Sequence, residues 1–357
     1  MTDERTVRDH PGMSWGRRLS PRNIGAIYAW VIVVVVFGAL NPSTFLSIAT
    51  GKQVLNQYSI SALVGLALVL PLSAGLFDLS VGATAALAGI GSAWTLAHVT
   101  TNPAIAVAVG LAVAVVAGLI NCLVVLVLEV DSFIGTLATS SIYTAIVIAV
   151  SNDEPISQNV NGSFSRDVAL RNVHGITFPV FYMIIVMLVL AYFLEKTVFG
   201  RQTQAIGFDR EVARLGGVRV KAVQAIGLVT CAVLAGAAGV AETANLGAGS
   251  PSIASDYLLP AFTAAFLGAT QFRRGRFNPW GTVVAILLLG TTDIGLLIAG
   301  GPAWSQDVFQ GVVLIVAIAV TASHGIGPVK YLQRHLGSLL GVFRRKGAVD
   351  VSGVRDA

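Results

Sequence analysis

The sequence KTVFGRQTQAIGFDREVARLGGVRVK, residues 196–221, is a long charged segment in an otherwise apolar chain. Apolar runs long enough to cross a bilayer precede and follow it. Because charged side chains are costly in hydrocarbon, this segment must lie in water on one side of a membrane. Its basic residues, which indicate that side, are Lys196, Arg201, Arg210, Arg214, Arg219 and Lys221.

The composition of the chain is that of a membrane protein. Of its 357 residues, 55% are apolar and only 11% are charged, whereas a soluble domain is about 25% charged. Mean hydropathy is +0.77, and the apolar runs lack the alternation expected of membrane strands. The net charge of +5 comes from segments that flank the apolar runs, which excludes a nucleic-acid-binding domain. The predicted fold class is an all-α polytopic membrane protein.

The apolar runs predict about ten transmembrane helices, some of them broken or short. Residues 257–270 are too short to span a bilayer untilted, so that crossing and re-entry both remain open. Residues 24–323 form the predicted membrane domain, with polar tails over 1–23 and 324–357. The predicted spans are 24–40, 54–74, 79–98, 104–128, 133–150, 176–194, 223–241, 257–270, 280–299 and 304–323.

The distribution of basic residues predicts the orientation of these spans. With ten spans, both tails, the segment 196–221 and the turn 272–278 lie on the same side. These segments hold all of the 23 Lys and Arg residues except Lys52, Arg166 and Arg171. Because basic loops stay in the cytoplasm, both termini are predicted to be cytoplasmic.

Residues 75–82, GLFDLSVG, interrupt the apolar pattern with an acidic residue, Asp78. Such a residue usually faces a bundle interior or an aqueous path. Alternatively, Asp78 caps the helix that follows by accepting hydrogen bonds from free backbone N–H groups. The pattern allows both interpretations. The polar residues Glu242, Asn245 and Asp293 lie near span ends, where solvated interface positions are expected.

The chain shows no catalytic constellation. Its five histidines lie in tails or at span ends, and no phosphate-binding loop is present. We therefore expect neither an enzyme nor ATP hydrolysis by this chain alone, and no cofactor. Cys122 and Cys231 both fall inside predicted spans, so they are interpreted as core residues and not as a disulfide or a zinc site.

Two helix patterns bear on packing and contacts. Gly110, Ala114 and Gly118 repeat at a spacing that lets membrane helices approach closely. Residues 209–215 predict a short amphipathic helix, with Val212 and Leu215 on one face and a stop at residues 216–217. Such a helix lies on a lipid surface or enters a groove on a soluble partner.

Four segments together carry a family resemblance. FDLSVGATAALAG, DSFIGTLAT, IGFDREVARLGGVRVKAVQ and GRFNPWGT, which are spread over most of residues 54–323, resemble segments of ribose-type ABC importer permeases. These monosaccharide permeases belong to the branched-chain-amino-acid and sugar permease superfamily. The resemblance implies about ten spans and a homodimer in the inner or plasma membrane of a bacterial cell, importing a monosaccharide or related solute.

The same resemblance implies partners and site residues. ATP would be used by cytoplasmic ATPase subunits, and an extracytoplasmic sugar-binding protein would deliver the solute. The segment that resembles the family's coupling helix favours the docking interpretation. The residues expected to contact the ATPase are Gly207, Asp209, Arg210, Glu211, Ala213, Arg214, Leu215 and Gly216. The residues expected along the solute pathway are Asp78, Ser80, Asn121, Thr136 and Asn245.

The chain departs from the family pattern at several positions. Asp131 and Ser132 replace a proline-rich start, Phe208–Asp209 replaces a Gly-Asn pair, Pro260 is unusual, and the turn 272–278 is more basic. Arg273, Arg274 and Arg276 are therefore expected to add cytoplasmic contacts or to bind anionic lipid. The alternative function is a secondary transporter driven by an ion gradient, with Asp78 as its coupling carboxylate. A passive channel or a structural membrane subunit is a third possibility.

Overall fold

The computed structural model describes residues 21–272, 275–302 and 304–323, and these residues are mostly helical. The predicted tails therefore lie outside the described residues, apart from 21–23, as do Arg273 and Arg274. The long helices are α1 (Pro21–Leu40), α3 (Ile48–Ser73), α4 (Val81–His98), α5 (Pro103–Cys122), α6 (Ser132–Ser151), α8 (Phe178–Lys196), α11 (Val220–Leu246), α14 (Pro279–Ile298) and α15 (Trp304–Ser323).

Shorter elements connect the long helices. A π-helical turn, Leu123–Val127, continues α5, and another, Arg166–Leu170, follows α7. The strands β1 (Asn172–Val173) and β2 (Ile176–Thr177) pair antiparallel, with Asn172 opposite Thr177. The short helices are α2 (Pro42–Phe45), α7 (Ser163–Ser165), α9 (Val198–Phe208), α10 (Arg210–Leu215), α12 (Ile253–Asp256) and α13 (Leu258–Ala269).

Among the described residues, 7 helices are long and apolar enough to cross a membrane. They correspond to predicted spans, with ends that shift by a few residues. The apolar stretches Gly25–Leu40 and Ile253–Ala269 are shorter, and α4 is not among the seven. The polytopic helical class is thus established, whereas the number of ten spans and the cytoplasmic termini stay predictions. The 7 helices are α3, α5 with its π-helical turn, α6, α8, α11, α14 and α15.

Helix α3 is the centre of the fold. From Ala62 to Ala74 every residue is buried, on all sides of the helix. A helix that is apolar all round needs neighbours all round, and α3 packs against α8, α11, α13 and α14. Pro71 lies within its last turn. The chain then leaves the helix through Gly75, whose φ of 75° is in the left-handed region that glycine adopts without strain.

Helices α4, α5 and α11 pack closely through small residues, as the spacing of Gly110, Ala114 and Gly118 predicts. A Cβ atom added at Gly110 would overlap Ala88 O, and one added at Gly118 would overlap Ala232 Cβ. Ala114 packs directly on Gly236 of α11 in the same way. In lipid, the hydrophobic effect does not favour helix association. The close approach of the backbones instead provides van der Waals contacts that hold the three helices together.

Loop contacts define two opposite edges of the bundle. At one edge, Lys221 Nζ lies 2.7 Å from Glu129 Oε1, and Arg276 donates a 2.9 Å hydrogen bond to Gln204. The turns after α5, α8 and α13 therefore meet there, and we call this the basic edge. At the opposite edge, Lys52 at the start of α3 donates a 2.6 Å hydrogen bond to the carbonyl of His174.

Candidate functional site

Polar side chains form a buried cluster between the α3–α4 turn and helices α5 and α6. Asp78 lies in that turn and is only 1% exposed. Its Oδ1 accepts hydrogen bonds from Ser80 N at 3.0 Å and Ser80 Oγ at 2.6 Å. Asp78 thus faces the bundle interior, as the first of the two interpretations states, and it binds Ser80, the N-cap residue of α4, without capping the N–H groups of the helix itself. We call the buried group the polar cluster; its members are Asp78, Ser80, Asn121, Thr136, Thr139 and Tyr143.

Asn121 of α5 is hydrogen-bonded to three other members of the polar cluster. Its Nδ2 donates to Ser80 Oγ at 2.7 Å, and its Oδ1 accepts from Thr139 Oγ1 at 2.7 Å. The hydroxyl of Tyr143 lies 3.1 Å from the same Oδ1 atom. Asn121 thus ties the α3–α4 turn, α5 and α6 together, and a fully paired network of this kind fixes the packing of its helices.

Side chains at the start of α6 accept hydrogen bonds from the backbone of the α3–α4 turn. Leu79 N donates to Thr136 Oγ1 at 2.9 Å, and Phe77 N donates to Ser132 Oγ at 3.1 Å. Asp131, which departs from the family pattern, accepts from the backbone N–H groups of residues 133 and 134 and so caps α6. Both residues of the unusual Asp-Ser start therefore have a structural role: Asp131 caps α6, and Ser132 binds the α3–α4 turn.

Four of the five predicted pathway residues lie in the polar cluster, and the fifth does not. Asn245 is exposed near the end of α11 and donates a 3.3 Å hydrogen bond to Glu242. Members of the polar cluster are buried within the chain and are therefore not open to solvent in this packing of the helices. Thr139 and Tyr143 were not predicted, although both follow Thr136 on α6 at helical spacing.

The predicted amphipathic helix is present as α10. Asp209 caps it, with Oδ1 accepting from Glu211 N at 2.9 Å and Val212 N at 3.1 Å. The helix ends at Leu215, and Gly217 has a φ of 83°, which confirms the predicted stop. Ala213 is buried against Ile206 of α9 and the start of α11, so one face of α10 is fixed to the bundle.

The other face of α10 is both charged and apolar. Arg214 and Glu211 form an ion pair one turn apart, and the hydrogen bond from Arg214 lowers the pKa of the Glu211 carboxyl. Val212 is 66% exposed and Leu215 is 75% exposed.

Phe208, which precedes α10, is 65% exposed, and the Arg276 guanidinium lies 5.5 Å from the centre of its ring. Arg276 thus joins the basic turn to the end of α9, just before α10. Phe208 and Val212 were missing from the predicted docking residues. For Val212 the signal was its spacing of three residues from Leu215, which places both on one face of the helix; Phe208 ends α9 and is separated from α10 by Asp209.

Two acidic residues that were expected at solvated interface positions are buried, so that interpretation was wrong for them. Asp293 is 2% exposed, and its Oδ2 accepts from Tyr58 OH and Gln310 Nε2, both at 3.0 Å. Glu242 is 8% exposed and is hydrogen-bonded to Tyr257. Polar partners make burial tolerable at both positions, and Tyr58 is 235 residues away from Asp293 in sequence.

The chain is thus a multi-pass α-helical membrane protein with a buried polar cluster and a charged helix at its basic edge. It belongs to the family described as branched-chain amino acid transport system / permease component, whose model matches residues 52–318. That match confirms the resemblance drawn from the four sequence segments, all of which lie within these residues.

Curated relatives match most of the chain. The D-allose transport system permease protein AlsC of Escherichia coli K12 is 31% identical over 300 residues, which cover 83% of this chain and 90% of that protein. The ribose import permease protein RbsC of Bacillus subtilis 168 is 29% identical over 298 residues, covering 83% and 92%. The L-arabinose transport system permease protein AraH of Escherichia coli K12 is 28% identical over 305 residues, covering 85% and 91%. No solved structure matches the chain significantly.

Proposed function

We propose that this chain is the membrane-spanning permease subunit of an ABC transporter that imports a monosaccharide or a related solute. Its relatives are named for allose, ribose and arabinose transport. The structural observation that carries the proposal is α10, which exposes Val212 and Leu215 at the basic edge. An exposed apolar pair among charged side chains fits a groove on a soluble partner, and we assign that partner as a cytoplasmic ATPase.

In this proposal, α10 presents its exposed residues to the ATPase. The contact residues are those predicted from the sequence, extended by Phe208 and Val212. Two of the predicted residues are exceptions: Ala213 packs inward and holds the helix in place, and Gly207 lies against the carbonyl oxygen of Ser73. ATP is bound and hydrolysed by the partner, and this chain supplies the surface against which the partner pushes.

The transport step is a change between two packings of the helices. When the ATPase subunits close, they push α10, and the attached helices α9 and α11 move with it. The pathway residues are Asp78, Ser80, Asn121, Thr136 and Asn245, as the sequence predicted. The four buried ones become accessible as α5 and α6 separate from the α3–α4 turn. Their hydroxyl and amide groups suit a neutral sugar, which needs hydrogen bonds and no counter-charge.

The remaining partners follow from the same assignment. The edge opposite to α10 carries the loops around Lys52 and His174, and it would receive the extracytoplasmic sugar-binding protein. A second copy of the chain would complete the pathway as a homodimer. The basic edge would face the cytoplasm of a bacterial cell, and the helices would lie in its inner or plasma membrane.

The experiment that tests this function is an ATPase assay in reconstituted membranes. The chain is purified with the ATPase encoded beside it, and the neighbouring binding protein is added with D-ribose, D-allose or L-arabinose. We expect ATP hydrolysis that is stimulated only when the binding protein carries one of these sugars. If the chain binds no ATPase and its uptake follows a proton or sodium gradient, the proposal is wrong and the secondary transporter replaces it.

A further inference from the structure

The backbone just before α10 touches the backbone at the end of α3. A Cβ atom added at Gly207 would overlap the carbonyl oxygen of Ser73, so only glycine fits there. In the other direction, a Cβ atom added at Gly75 would lie 3.7 Å from Gly207 Cα. The two chain segments thus meet backbone to backbone, without a flexible side chain between them to absorb a displacement.

The chain just after α10 also contacts residues 73–75, at the end of α3. Gln224 lies in the first turns of α11 and is buried, and its Nε2 donates a 3.3 Å hydrogen bond to Ala74 O. Gly207 and Gln224 therefore reach residues 73–75 from the two ends of the segment that carries α10. A movement of α10 that carries these two residues with it would therefore act on the turn from both sides.

The turn leads directly into the polar cluster. Leu76 N donates to Pro71 O at 2.9 Å, which closes the turn tightly. Two residues later comes Asp78, and the N–H groups of Phe77 and Leu79 are held by α6. A displacement at residues 73–75 is thus passed to the hydrogen bonds that join α4, α5 and α6.

Two buried polar atoms at this contact have no partner. They are Ser73 Oγ and Gln224 Oε1, which belong to the few such side-chain atoms in the part of the chain that the structure describes. A buried hydroxyl or amide oxygen without a partner loses its hydration with no compensation. One is a donor and the other an acceptor, and they sit on the two sides of the contact. A hydrogen bond between them would therefore satisfy both atoms at once.

We propose that Gly207 and Gln224, packed on residues 73–75, form the joint through which movement of α10 reaches the polar cluster. This inference rests on the proposed function and deepens it. It assigns Gly207 to the joint and not to the ATPase surface, and it gives Ser73 and Gln224 a role in coupling. The joint has two arrangements, and Ser73 Oγ donates to Gln224 Oε1 in the one not seen here.

The test compares alanine at two glycines that both face the end of α3. Gly207→Ala forces the backbones of residues 207 and 73 apart. Gly227→Ala is the matched control, because its Cβ atom would lie at 3.8 Å from Leu70 and Pro71, an ordinary contact distance. Each variant is reconstituted with the ATPase and the binding protein, with D-ribose, D-allose and L-arabinose tested in turn. Binding of the ATPase, basal hydrolysis and sugar-dependent stimulation are measured.

We expect Gly207→Ala to bind the ATPase normally and to lose sugar-dependent stimulation by about tenfold, the scale of a typical coupling between two sites. Gly227→Ala should behave as wild type. Gln224→Met, which keeps the volume and removes the hydrogen bond, should show the same defect in milder form, with Gln202→Met on α9 as its control. These two variants keep the test valid if Gly207→Ala fails to fold.

The pairing of Ser73 with Gln224 has its own test. In a double-mutant cycle, Ser73→Ala and Gln224→Met should affect stimulation non-additively, because either change alone removes the pair. Additive effects would exclude that pair. If wild type is stimulated and both Gly207→Ala and Gln224→Met match their controls, the joint is wrong while the proposed function stands. If wild type binds no ATPase, the function fails and the joint fails with it.

Discussion

Asn121 Nδ2 donates a 2.7 Å hydrogen bond to Ser80 Oγ across 41 positions of sequence. This bond joins α5 to the turn that follows the central helix, α3. Ser80 in turn donates to Asp78, so that a buried carboxylate, a hydroxyl and an amide stand in one chain of hydrogen bonds. Because none of these atoms is at the surface, the bond holds the packing of α5 against the start of α4.

Replacing Asn121 with alanine should therefore destabilise the folded chain. Ser80 Oγ would lose a donor, and the hydroxyls of Thr139 and Tyr143 would lose an acceptor inside the bundle. We expect a loss of about 1–3 kcal/mol, as for a buried polar group that leaves its partners unpaired. Thermal unfolding of the purified protein in detergent measures it. The control is the exposed Asn245→Ala, which should change stability by about 0.5 kcal/mol or less. Equal unfolding temperatures for the two variants would contradict the role of Asn121.

Features that depend on local sequence were predictable. The ends of the long helices follow from apolar runs bounded by Pro, Gly and Asn, and the cap and stop of α10 follow from Asp209 and Gly217. The small-residue spacing on α5 also predicted a close helix contact, because it depends only on the helical repeat. For the same reason a local hydrogen bond of Asp78 near the start of α4 could be predicted, since its partner Ser80 is two residues away.

Features that depend on the register between distant helices were not predictable. Asp293 was assigned to a solvated interface because nothing near it in sequence reveals that Tyr58 of α3 donates to it. Thr139 and Tyr143 follow Thr136 at helical spacing, but α6 carries serine and threonine on its other faces as well, so the spacing alone does not mark the face that meets Asn121. The contact of Gly207 with Ser73 has the same origin, since a glycine that is needed for close approach looks like any other glycine in the sequence.

The ion pair between Lys221 and Glu129 at the basic edge leads to a prediction about pH dependence. The pKa of Glu129 is lowered below its ordinary value because the Lys221 ammonium donates to the carboxylate and attracts its charge. Since the folded pKa is the lower one, the pair stabilises the fold above the ordinary pKa of 4.5. That contribution is lost as the pH falls through the folded pKa. Both side chains are exposed, so water and salt weaken the effect.

The measurement is a titration of the Glu129 carboxylate by carbon NMR in micelles. In Lys221→Met, the pKa of Glu129 should rise toward its ordinary value, because the main hydrogen bond and charge are gone. Lys196→Met, at the end of α8, should leave that pKa unchanged. An unchanged pKa in Lys221→Met would show that this pair does not form in solution.

A third prediction concerns Asp293, whose carboxylate links α3 and α15 to α14. Only 11% of the apolar stretch of α15 is buried inside the chain, so apolar packing holds it weakly. Gln310 of α15 and Tyr58 of α3 both donate to Asp293 Oδ2, which ties these helices to α14. Tyr58→Phe should lower the free energy of unfolding by about 1 kcal/mol, the usual size of an interhelical hydrogen bond.

Thermal unfolding in detergent also tests this third prediction. The matched control is Tyr192→Phe, because the Tyr192 ring is 62% exposed on α8 and its hydroxyl lies outside the bundle core. The control should unfold at the wild-type temperature. A Tyr58→Phe protein that is as stable as the control would mean that Asp293 contributes nothing to holding α3.

The last prediction separates the two interpretations of α10. Leu215 is 75% exposed and points away from the buried Ala213 side of the helix, so Leu215→Arg should leave the fold intact. If the helix docks into a groove, a buried arginine there should weaken ATPase binding by about tenfold or more, or about 1.4 kcal/mol. Pull-down of the ATPase on the reconstituted chain measures this, with Leu170→Arg at the opposite edge as the control. Normal binding, transport and stimulation in Leu215→Arg would instead identify α10 as a helix on the lipid surface, where an arginine at the headgroup level is tolerated.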